Sequence, residues 1–405
     1  MNLNMLNKSK FDESLEAPYY KLQRGKKLGK LLVVFSSMKI PAGRFTFVRS
    51  LEKFPYDVLY VNDINNGWYQ TGIPGLGTSV DEACTSIKEI AKQIRAKDIF
   101  TLGSSMGGYG ALLFGAKLNA PSLAFDPETV LDLPDSRSAK NMPRTATRHY
   151  NDLLPLLESS GTRAHIYAGE MDIVDLISAQ RMTVLPRVSV STIADQAHST
   201  AAHLHEVYGL SQVATTFVNG KPMPELPNPG DLCNYPAVVQ ALVASDEAIR
   251  QKDYKNAVSI LSPITFKSGR AGVAWYRLGV AQLYAGDLHG AVNSQRAAVG
   301  KCPSFGKAHL QLGISLRRTK FHAEAIQAFD RASELQPSMA AAHYQRGLTF
   351  RDMQLHDDAE DAFSSAWKLE PNNKAIVDAL AAAIETCIQS RKERLLNLRR
   401  TMESV

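Results

Sequence analysis

The C-terminal part of the sequence repeats itself every 34 residues. Four series of residues keep this spacing: Gly279, Gly313 and Gly347; Ala291, Ala325 and Ala359; Ala298, Ala332 and Ala366; and Pro303, Pro337 and Pro371. Small residues at fixed helical positions let two antiparallel helices approach closely, and a proline ends the second helix of each pair. The pattern therefore predicts a stack of helix pairs, because each pair can bury its apolar face only against its neighbours.

This period and these residues resemble the tetratricopeptide repeat. The resemblance covers a repeat region, 237–373, made of a divergent first repeat, 238–271, and three regular repeats, 272–305, 306–339 and 340–373. Residues 374–405 are predicted to form a helix that caps the last repeat, with a short tail. The resemblance implies an all-α solenoid whose groove binds a protein partner.

A different pattern precedes the repeats. Six short apolar runs are predicted as buried parallel strands: Leu31–Phe35, Val58–Val61, Ile99–Leu102, Ser122–Phe125, Ala164–Ala168 and Val188–Ile193. Helical patterns at Ser79–Ile94 and Gly108–Leu118 lie between strands. Strands that alternate with helices predict an α/β doubly wound parallel sheet, placed here at 29–210. Residues 1–28 are predicted as an N-terminal extension, and the proline-rich segment 211–236 as an interdomain linker.

Composition limits the classes of function. The net charge of +6 is mild for 405 residues, and most basic residues are interleaved with acids, so no nucleic-acid partner is expected. The longest apolar run, Leu31–Phe35, is too short to cross a bilayer, and the first residues lack a signal-peptide pattern. The four cysteines have no metal-ligand spacing. A cytoplasmic protein that needs neither a metal nor an organic cofactor is therefore expected.

The motif with the strongest chemical meaning is G-x-S-x-G at Gly103–Gly107, between a predicted strand and a predicted helix. Such a turn is so tight that it needs glycines, and it lifts the hydroxyl of its serine, Ser105, clear of the sheet. A serine hydroxyl becomes a good nucleophile only when a base accepts its proton and an acid orients that base. Ser105 is therefore the predicted nucleophile.

The motif and its context resemble the α/β-hydrolase superfamily, whose catalytic residues follow the chain order serine, acid, histidine. The resemblance covers about residues 29–210 and implies Asp172, in the loop after Ala164–Ala168, as the acid. It implies His198, in the loop after the last strand, as the base. Other residues remain open as alternatives: Asp175 or Asp126 as the acid, and His203 or His205 as the base.

Further residues are expected around this site. The resemblance implies that the backbone amide of Met106, and that of Ser36 or Ser37, stabilise an oxyanion. Trp68 and Tyr69 offer a stacking surface for a sugar ring or, alternatively, simply pack in the core. The segment 134–150 is either a solvated surface or a lid that recognises an anionic substrate. Its basic residues are Arg137, Lys140, Arg144 and Arg148.

Two functions from different classes follow. The first is a serine hydrolase that acts on an acyl ester, with repeats that bind a protein. The segment Ser122–Thr129, together with a helical repeat, is loosely similar to hydrolase-like proteins of bacterial polysaccharide biosynthesis, which implies an ester carried on a glycan or its precursor. The second is a non-catalytic scaffold in which the repeats bind a partner and the hydrolase fold is inert.

Overall fold

The computed structural model describes residues 16–267 and 271–403. The chain divides into two compact units, Met1–Val239 and Gln240–Val405. Of the predicted N-terminal extension, residues 1–15 lie outside the described residues, as do residues 268–270 of the divergent repeat and the last two residues of the predicted tail.

The described part of the first unit is built on one eight-stranded sheet. Its strands are β1 (Glu16–Ala17), β2 (Tyr20–Gln23), β3 (Lys30–Phe35), β4 (Asp57–Val61), β5 (Asp98–Ser104), β6 (Ser122–Phe125), β7 (Ala164–Gly169) and β8 (Val188–Ile193). The order across the sheet is β1-β2-β4-β3-β5-β6-β7-β8, and all pairs from β4 to β8 are parallel. The six predicted strands are confirmed as β3 to β8.

The prediction of a purely parallel sheet is wrong at one edge. β2 pairs antiparallel with β4, with Tyr20 opposite Val61, and β1 continues as an antiparallel hairpin. The sheet is therefore mixed, and it begins inside the predicted N-terminal extension. The sequence signal is weak there because β2 is only partly buried and carries polar residues at alternate positions.

Helices follow most of the parallel strands. They are α1 (Val80–Gln93), α2 (Met106–Leu118), α3 (Arg137–Asn141), α4 (Leu154–Ser160), α5 (Ile173–Met182), α6 (Thr200–Tyr208) and α7 (Leu210–Val218). α1 begins after Ser79, whose hydroxyl accepts a hydrogen bond from the amide of Glu82 and so caps the helix. α2 is buried along nearly its whole length. It therefore lies in the core directly behind the predicted nucleophile.

The predicted linker 211–236 is largely part of the first unit. α7 occupies its beginning and packs into the hydrophobic core through Val213 and Val218. Farther on, the amide of Gly230 donates to the carbonyl of Thr192 on β8 at 2.8 Å, and the amide of Ala194 donates to the carbonyl of Asn228 at 3.1 Å. This segment therefore contacts the end of β8 and belongs to the first unit, where the sequence predicts an interdomain linker.

The second unit is helical throughout its described residues. Its elements, with the helix at the boundary, are α8 (Pro236–Arg250), α9 (Tyr254–Lys267), α10 (Gly272–Ala285), α11 (Leu288–Lys301), α12 (Gly306–Arg318), α13 (His322–Leu335), α14 (Ala340–Asp352), α15 (His356–Leu369) and α16 (Lys374–Glu403). Across both units, no described helix has the length and apolar character needed to cross a lipid bilayer.

The spacing of 34 residues has a direct packing cause. A Cβ on Gly313 would lie 2.4 Å from the ring of Phe329, and one on Gly347 would lie 2.7 Å from the ring of Phe363. In the first regular repeat the equivalent contact to Gly279 is made by Gln295, whose side-chain amide donates to the carbonyl of Tyr276 at 3.0 Å. Each glycine thus makes room for a large side chain on the second helix of its own pair.

Candidate active site

Ser105 lies at a strained turn between β5 and α2. Its φ is 59° and its ψ is −126°, a combination that residues with a side chain rarely adopt and that costs about 1–3 kcal/mol. The flanking glycines are required by contact: a Cβ on Gly103 would lie 2.0 Å from the carbonyl oxygen of Gly107, and one on Gly107 would lie 2.1 Å from that of Phe35. Ser105 is thus held where the G-x-S-x-G motif places a nucleophile, with 7% of its surface exposed.

His198 is held by Asp175. Its Nδ1 lies 2.8 Å from Oδ2 and 3.0 Å from Oδ1 of this fully buried carboxylate, in the first turn of α5. When Asp175 is ionised its carboxylate can only accept, so Nδ1 then donates its proton and Nε2 presents its lone pair. Nε2 is buried and has no hydrogen-bond partner among the described residues. Burial lowers the pKa of His198, which favours the neutral form that a general base needs.

The structure does not bring Asp172, the predicted acid, to His198 Nδ1. One oxygen of Asp172 caps α5 by accepting from the amides of Val174 at 3.0 Å and Asp175 at 3.2 Å. The other oxygen accepts from Arg137 Nη2 at 2.6 Å. Burial by itself would raise the pKa of Asp172, but the charge and hydrogen bond of Arg137 outweigh it, so the pKa is lowered. Asp175, the alternative acid, is the carboxylate that lies at hydrogen-bond distance from His198 Nδ1.

Arg137 is a site residue that the sequence placed only among the basic residues of a surface segment or lid. Besides Asp172, it contacts Asp175 with Nη1 at 3.2 Å, and its backbone amide donates to Glu128 at 2.5 Å. The second oxygen of Glu128 accepts from the amide of Ser138 at 2.9 Å and so fixes the start of α3. Burial and the charge of Asp172 raise the pKa of Asp175, and Arg137 opposes them. The guanidinium therefore stabilises the ionised form of Asp175 on which His198 depends.

Asp126 is a second buried acid beside His198. Its Oδ2 accepts from both the amide and the hydroxyl of Thr200, at 2.9 and 2.8 Å, and its Oδ1 is buried with no partner among the described residues. One ligand atom each from Asp126, Asp175 and His198 lie within 4.8 Å of one another, a spacing that could hold a metal ion. Arg137, at 3.2 Å from Asp175, would repel a cation there. The arrangement therefore favours a proton network over a metal centre.

Replacing Asp126 with Asn should stabilise the protein at alkaline pH. Burial, and next the charge of Asp175, raise the pKa of Asp126 to about 7, whereas an unfolded aspartate titrates at about 4. Between these values the folded state keeps a proton that the unfolded state has lost, so this group makes the free energy of unfolding fall as the pH rises. Asn cannot ionise and still accepts from Thr200. We expect a gain of up to about 4 kcal/mol at about pH 8 and little at about pH 4.

Chemical denaturation of the wild type and of Asp126→Asn at both pH values measures this difference. A gain of equal size at both pH values would show that the titration of Asp126 is not its cause.

A short path of hydrogen bonds joins Ser105 to the loop that carries His198. The amide of Ser105 donates to the carbonyl of Phe125 at 2.9 Å, and Asp126, the next residue, accepts from Thr200. Thr200 lies two residues after His198. The nucleophile, the base and both buried acids therefore lie at one edge of the sheet, where the parallel strands β5 to β8 end.

The backbone amides predicted to stabilise an oxyanion differ in whether they already have an acceptor. The amide of Ser36 donates to Val61 at 2.9 Å, and that of Ser37 donates to the hydroxyl of Thr46 at 2.9 Å, so both are already engaged. The hydroxyl of Ser37 donates to the carbonyl of Ser104 at 2.9 Å, which places this loop beside the turn of Ser105. Met106 is the first residue of α2, and an amide at this position has no acceptor within its own helix. Met106 remains the predicted donor.

The predicted substrate-binding residues are not gathered at the site. Trp68 and Tyr69 are fully buried, and the hydroxyl of Tyr69 donates to the carbonyl of Ser36 at 2.8 Å. Neither ring therefore offers a stacking surface, and both pack in the core, which is the alternative interpretation of these residues. Arg148 pairs with Asp132 at 2.5 Å. Arg144 is exposed. Of the basic residues in 134–150, all of which the structure describes, only Arg137 reaches the carboxylates around His198.

The alternative bases lie in α6. His205 is exposed, and its Nδ1 accepts from the amide of Leu210 at 3.1 Å, which ties α6 to α7. His203 is half-buried on the same helix, and its amide donates to the carbonyl of Ser199 at 3.1 Å. Of these candidate bases, His198 is the one whose ring nitrogen lies at hydrogen-bond distance from a buried acid, Asp175.

Comparison with known proteins identifies the class of the second unit. The family model described as tetratricopeptide repeat matches residues 310–373. This match spans most of the last two regular repeats, and the second unit therefore contains tetratricopeptide repeats. No curated protein matches the chain. Because the family match lies wholly in the second unit, the α/β-hydrolase resemblance of the first unit stays a prediction.

Similar solved structures include those of MamA, YrrB and TTC0263. A MamA structure is 20% identical, covers 39% of this chain and 96% of its own, and has a TM-score of 0.34. YrrB, a tetratricopeptide-repeat protein with an unusual peptide-binding site, is 20% identical over 36% of this chain and 76% of its own, with a TM-score of 0.33. TTC0263, a thermophilic tetratricopeptide-repeat protein of Thermus thermophilus, is 21% identical over 36% and 81%, with a TM-score of 0.33.

Proposed function

We propose that this chain binds a protein partner through its repeats and that its first unit hydrolyses acyl esters. The repeat match supports the first half of the proposal, since stacked helix pairs of this kind bind peptides and protein surfaces. That match also favours the adaptor over the hydrolase, because it extends to no part of the first unit. For the first unit, we infer hydrolysis from the geometry around Ser105.

The observation that carries the hydrolase proposal is the His198–Asp175 pair at the sheet edge where Ser105 occupies a strained turn. In this mechanism Nε2 of His198 takes the proton from Ser105 as its Oγ attacks the ester carbonyl. The same nitrogen then returns the proton to the leaving alcohol. Asp175 stabilises the imidazolium that forms in between, and the amide of Met106 donates to the oxyanion. Water then attacks the acyl-enzyme, again with His198 as the base, and Ser105 is released.

An ester on a glycan or its precursor is suggested by the loose similarity of Ser122–Thr129 to hydrolase-like proteins of polysaccharide biosynthesis. Within this segment, Ser122–Phe125 form β6, and Asp126 directly follows the strand. Screening acyl esters of sugars against simple alcohol esters of the same acyl group tests this choice.

A fluorophosphonate probe should label the wild-type protein at Ser105. Labelling should be lost in Ser105→Ala and His198→Ala, because the probe reacts only with a serine that a base has activated. Ser104→Ala is the matched control: this hydroxyl is one residue away, and the hydrogen bond from Ser37 goes to the carbonyl of Ser104, which the substitution keeps.

Gel fluorescence, with mass spectrometry of the modified peptide, measures the result. A well-folded wild type that stays unlabelled, or labelling that survives in Ser105→Ala, would contradict the hydrolase proposal.

The adaptor function, with an inert first unit, is the second candidate. It requires that Ser105→Ala keep both the bound partner and the cellular phenotype. It also requires that a variant of the repeats lose both, and Gly313→Val is suitable because its side chain would collide with the ring of Phe329. The opposite outcome, a phenotype lost in Ser105→Ala with partner binding intact, would exclude an inert first unit.

A further inference from the structure

The last helix is much longer than its contact with the repeats. α16 packs against the third regular repeat through buried residues such as Ile376 and Cys387. From Ile388 to Met402, every residue of the helix is exposed. A lone helix of this length is marginally stable in water, so a long projecting helix gains most from a partner that covers its apolar side chains.

Those apolar side chains follow a coiled-coil repeat. Positions alternately four and three residues apart run along one stripe of α16: Val377, Ala381, Ile384, Ile388, Arg391, Leu395, Leu398 and Met402. Ile388, Leu395 and Leu398 are 47%, 50% and 56% exposed. Steps that alternate between four and three residues average about 3.5 residues, and this spacing keeps the stripe facing a second, supercoiled helix along its whole length.

The charges beside the stripe select the partner and its direction. Asp378, Glu385, Lys392 and Arg399 follow one another every seven residues along one flank, acidic first and basic last. In an antiparallel pair of identical helices this flank faces itself, so Asp378 meets Arg399 of the second copy and Glu385 meets its Lys392. Arg394 lies on the opposite flank of the stripe. In a parallel pair the two flanks face each other, so Arg394 would meet Arg399 of the second copy, and these like charges repel.

We propose that two copies of this chain associate through an antiparallel coiled coil of α16. Arg391 interrupts the apolar stripe, but its Nη2 donates to Asp357 of α15 at 3.0 Å, so its charge is balanced within its own chain. The remaining stripe places Leu395 against Ile384 of the second copy and Met402 against Val377. Apolar layers of the two-helix interface therefore lie on both sides of Arg391.

Sedimentation of the full-length protein tests the proposal. The wild type should be a dimer, and Ile388→Asp with Leu395→Asp should weaken association by about a hundredfold or more, because each substitution removes apolar contacts twice per dimer. Leu396→Asp is the matched control: Leu396 is 52% exposed on the same helix but lies outside the stripe, so the dimer should persist. Circular dichroism of all three proteins checks that each variant is folded.

The charge pattern provides a second, milder test. Glu385→Lys should weaken the dimer, and adding Lys392→Glu should restore it, because each swapped residue again meets an opposite charge in the antiparallel pair. A monomeric wild type, equal loss in Leu396→Asp, or no restoration by the double swap would overturn the proposal. So would a monomer that instead sediments with anionic lipid vesicles, because that would assign the stripe to a membrane surface.

Discussion

Replacing Asp175 with Asn should slow phosphonylation of Ser105 by a fluorophosphonate, which displaces fluoride from phosphorus, about a thousandfold or more. The Nδ1 atom of His198 lies 2.8 Å from this carboxylate, which holds the proton on Nδ1 and leaves Nε2 as the base. An amide at position 175 can donate to Nδ1, so the imidazole would take the other tautomer and present a proton to Ser105 in place of a lone pair. The imidazolium formed during attack would also lose its counter-charge.

Asp172→Asn is the control that separates the two candidate acids. It removes one partner of Arg137 and leaves the His198–Asp175 hydrogen bond in place, so the expected loss is much smaller than for Asp175→Asn. Rates of labelling, with folded content checked by circular dichroism, measure both. If Asp172→Asn has the larger effect, then Asp172 is the acid, as the hydrolase resemblance implies, and the contact with Asp175 is structural.

Replacing Gly107 with Ala should lower the free energy of unfolding of the first unit by about 3 kcal/mol or more. The added Cβ would lie 2.1 Å from the carbonyl oxygen of Phe35 at the end of β3 and 3.0 Å from that of Ser36. Backbone atoms inside a sheet cannot turn away as a side chain can, so α2 would have to move off the sheet. The turn of Ser105 would move with it.

Gly67→Ala is the matched substitution in the same unit, since its Cβ would meet only the Asp63 carboxylate, at 3.4 Å, an ordinary contact. Fluorescence of Trp68, buried in the first unit, reports unfolding of that unit alone in a background where Trp275 and Trp367 are replaced by Phe. A Gly107→Ala variant as stable as Gly67→Ala would show that α2 and β3 are less tightly packed than their contacts indicate.

The sequence predicts most elements because each follows from a local pattern. The six buried strands are continuous apolar runs, and the regular repeats place a glycine against a large side chain every 34 residues. β1 and β2 are not predicted, because these short strands at the sheet edge contain no continuous apolar run. α7 escapes because the prolines that follow it, starting at Pro222, dominate the composition of its segment.

The candidate site is predictable in part for the same reason. Ser105 is indicated by glycines at short range, and His198 by its place after the last strand. The choice between Asp172 and Asp175 depends on which carboxylate caps α5, and an Asp immediately before a helix is a common cap. The role of Arg137 could not be assigned from the sequence, because it depends on Glu128 after β6, Asp172 after β7 and Asp175 in the first turn of α5, which only the folded chain brings together.

The segment after α7 has a consequence for how the first unit can be produced by itself. Residues 228–230 supply hydrogen bonds to β8, the last strand of the sheet, and Glu170 holds this segment by accepting from the amide of Leu232 at 2.7 Å. A fragment that stopped at residue 210, where the strand pattern ends, would leave the end of β8 without these partners and so extend the open edge of the sheet that can pair with other molecules. Expression of a soluble, isolated first unit therefore requires a fragment that continues beyond Leu232.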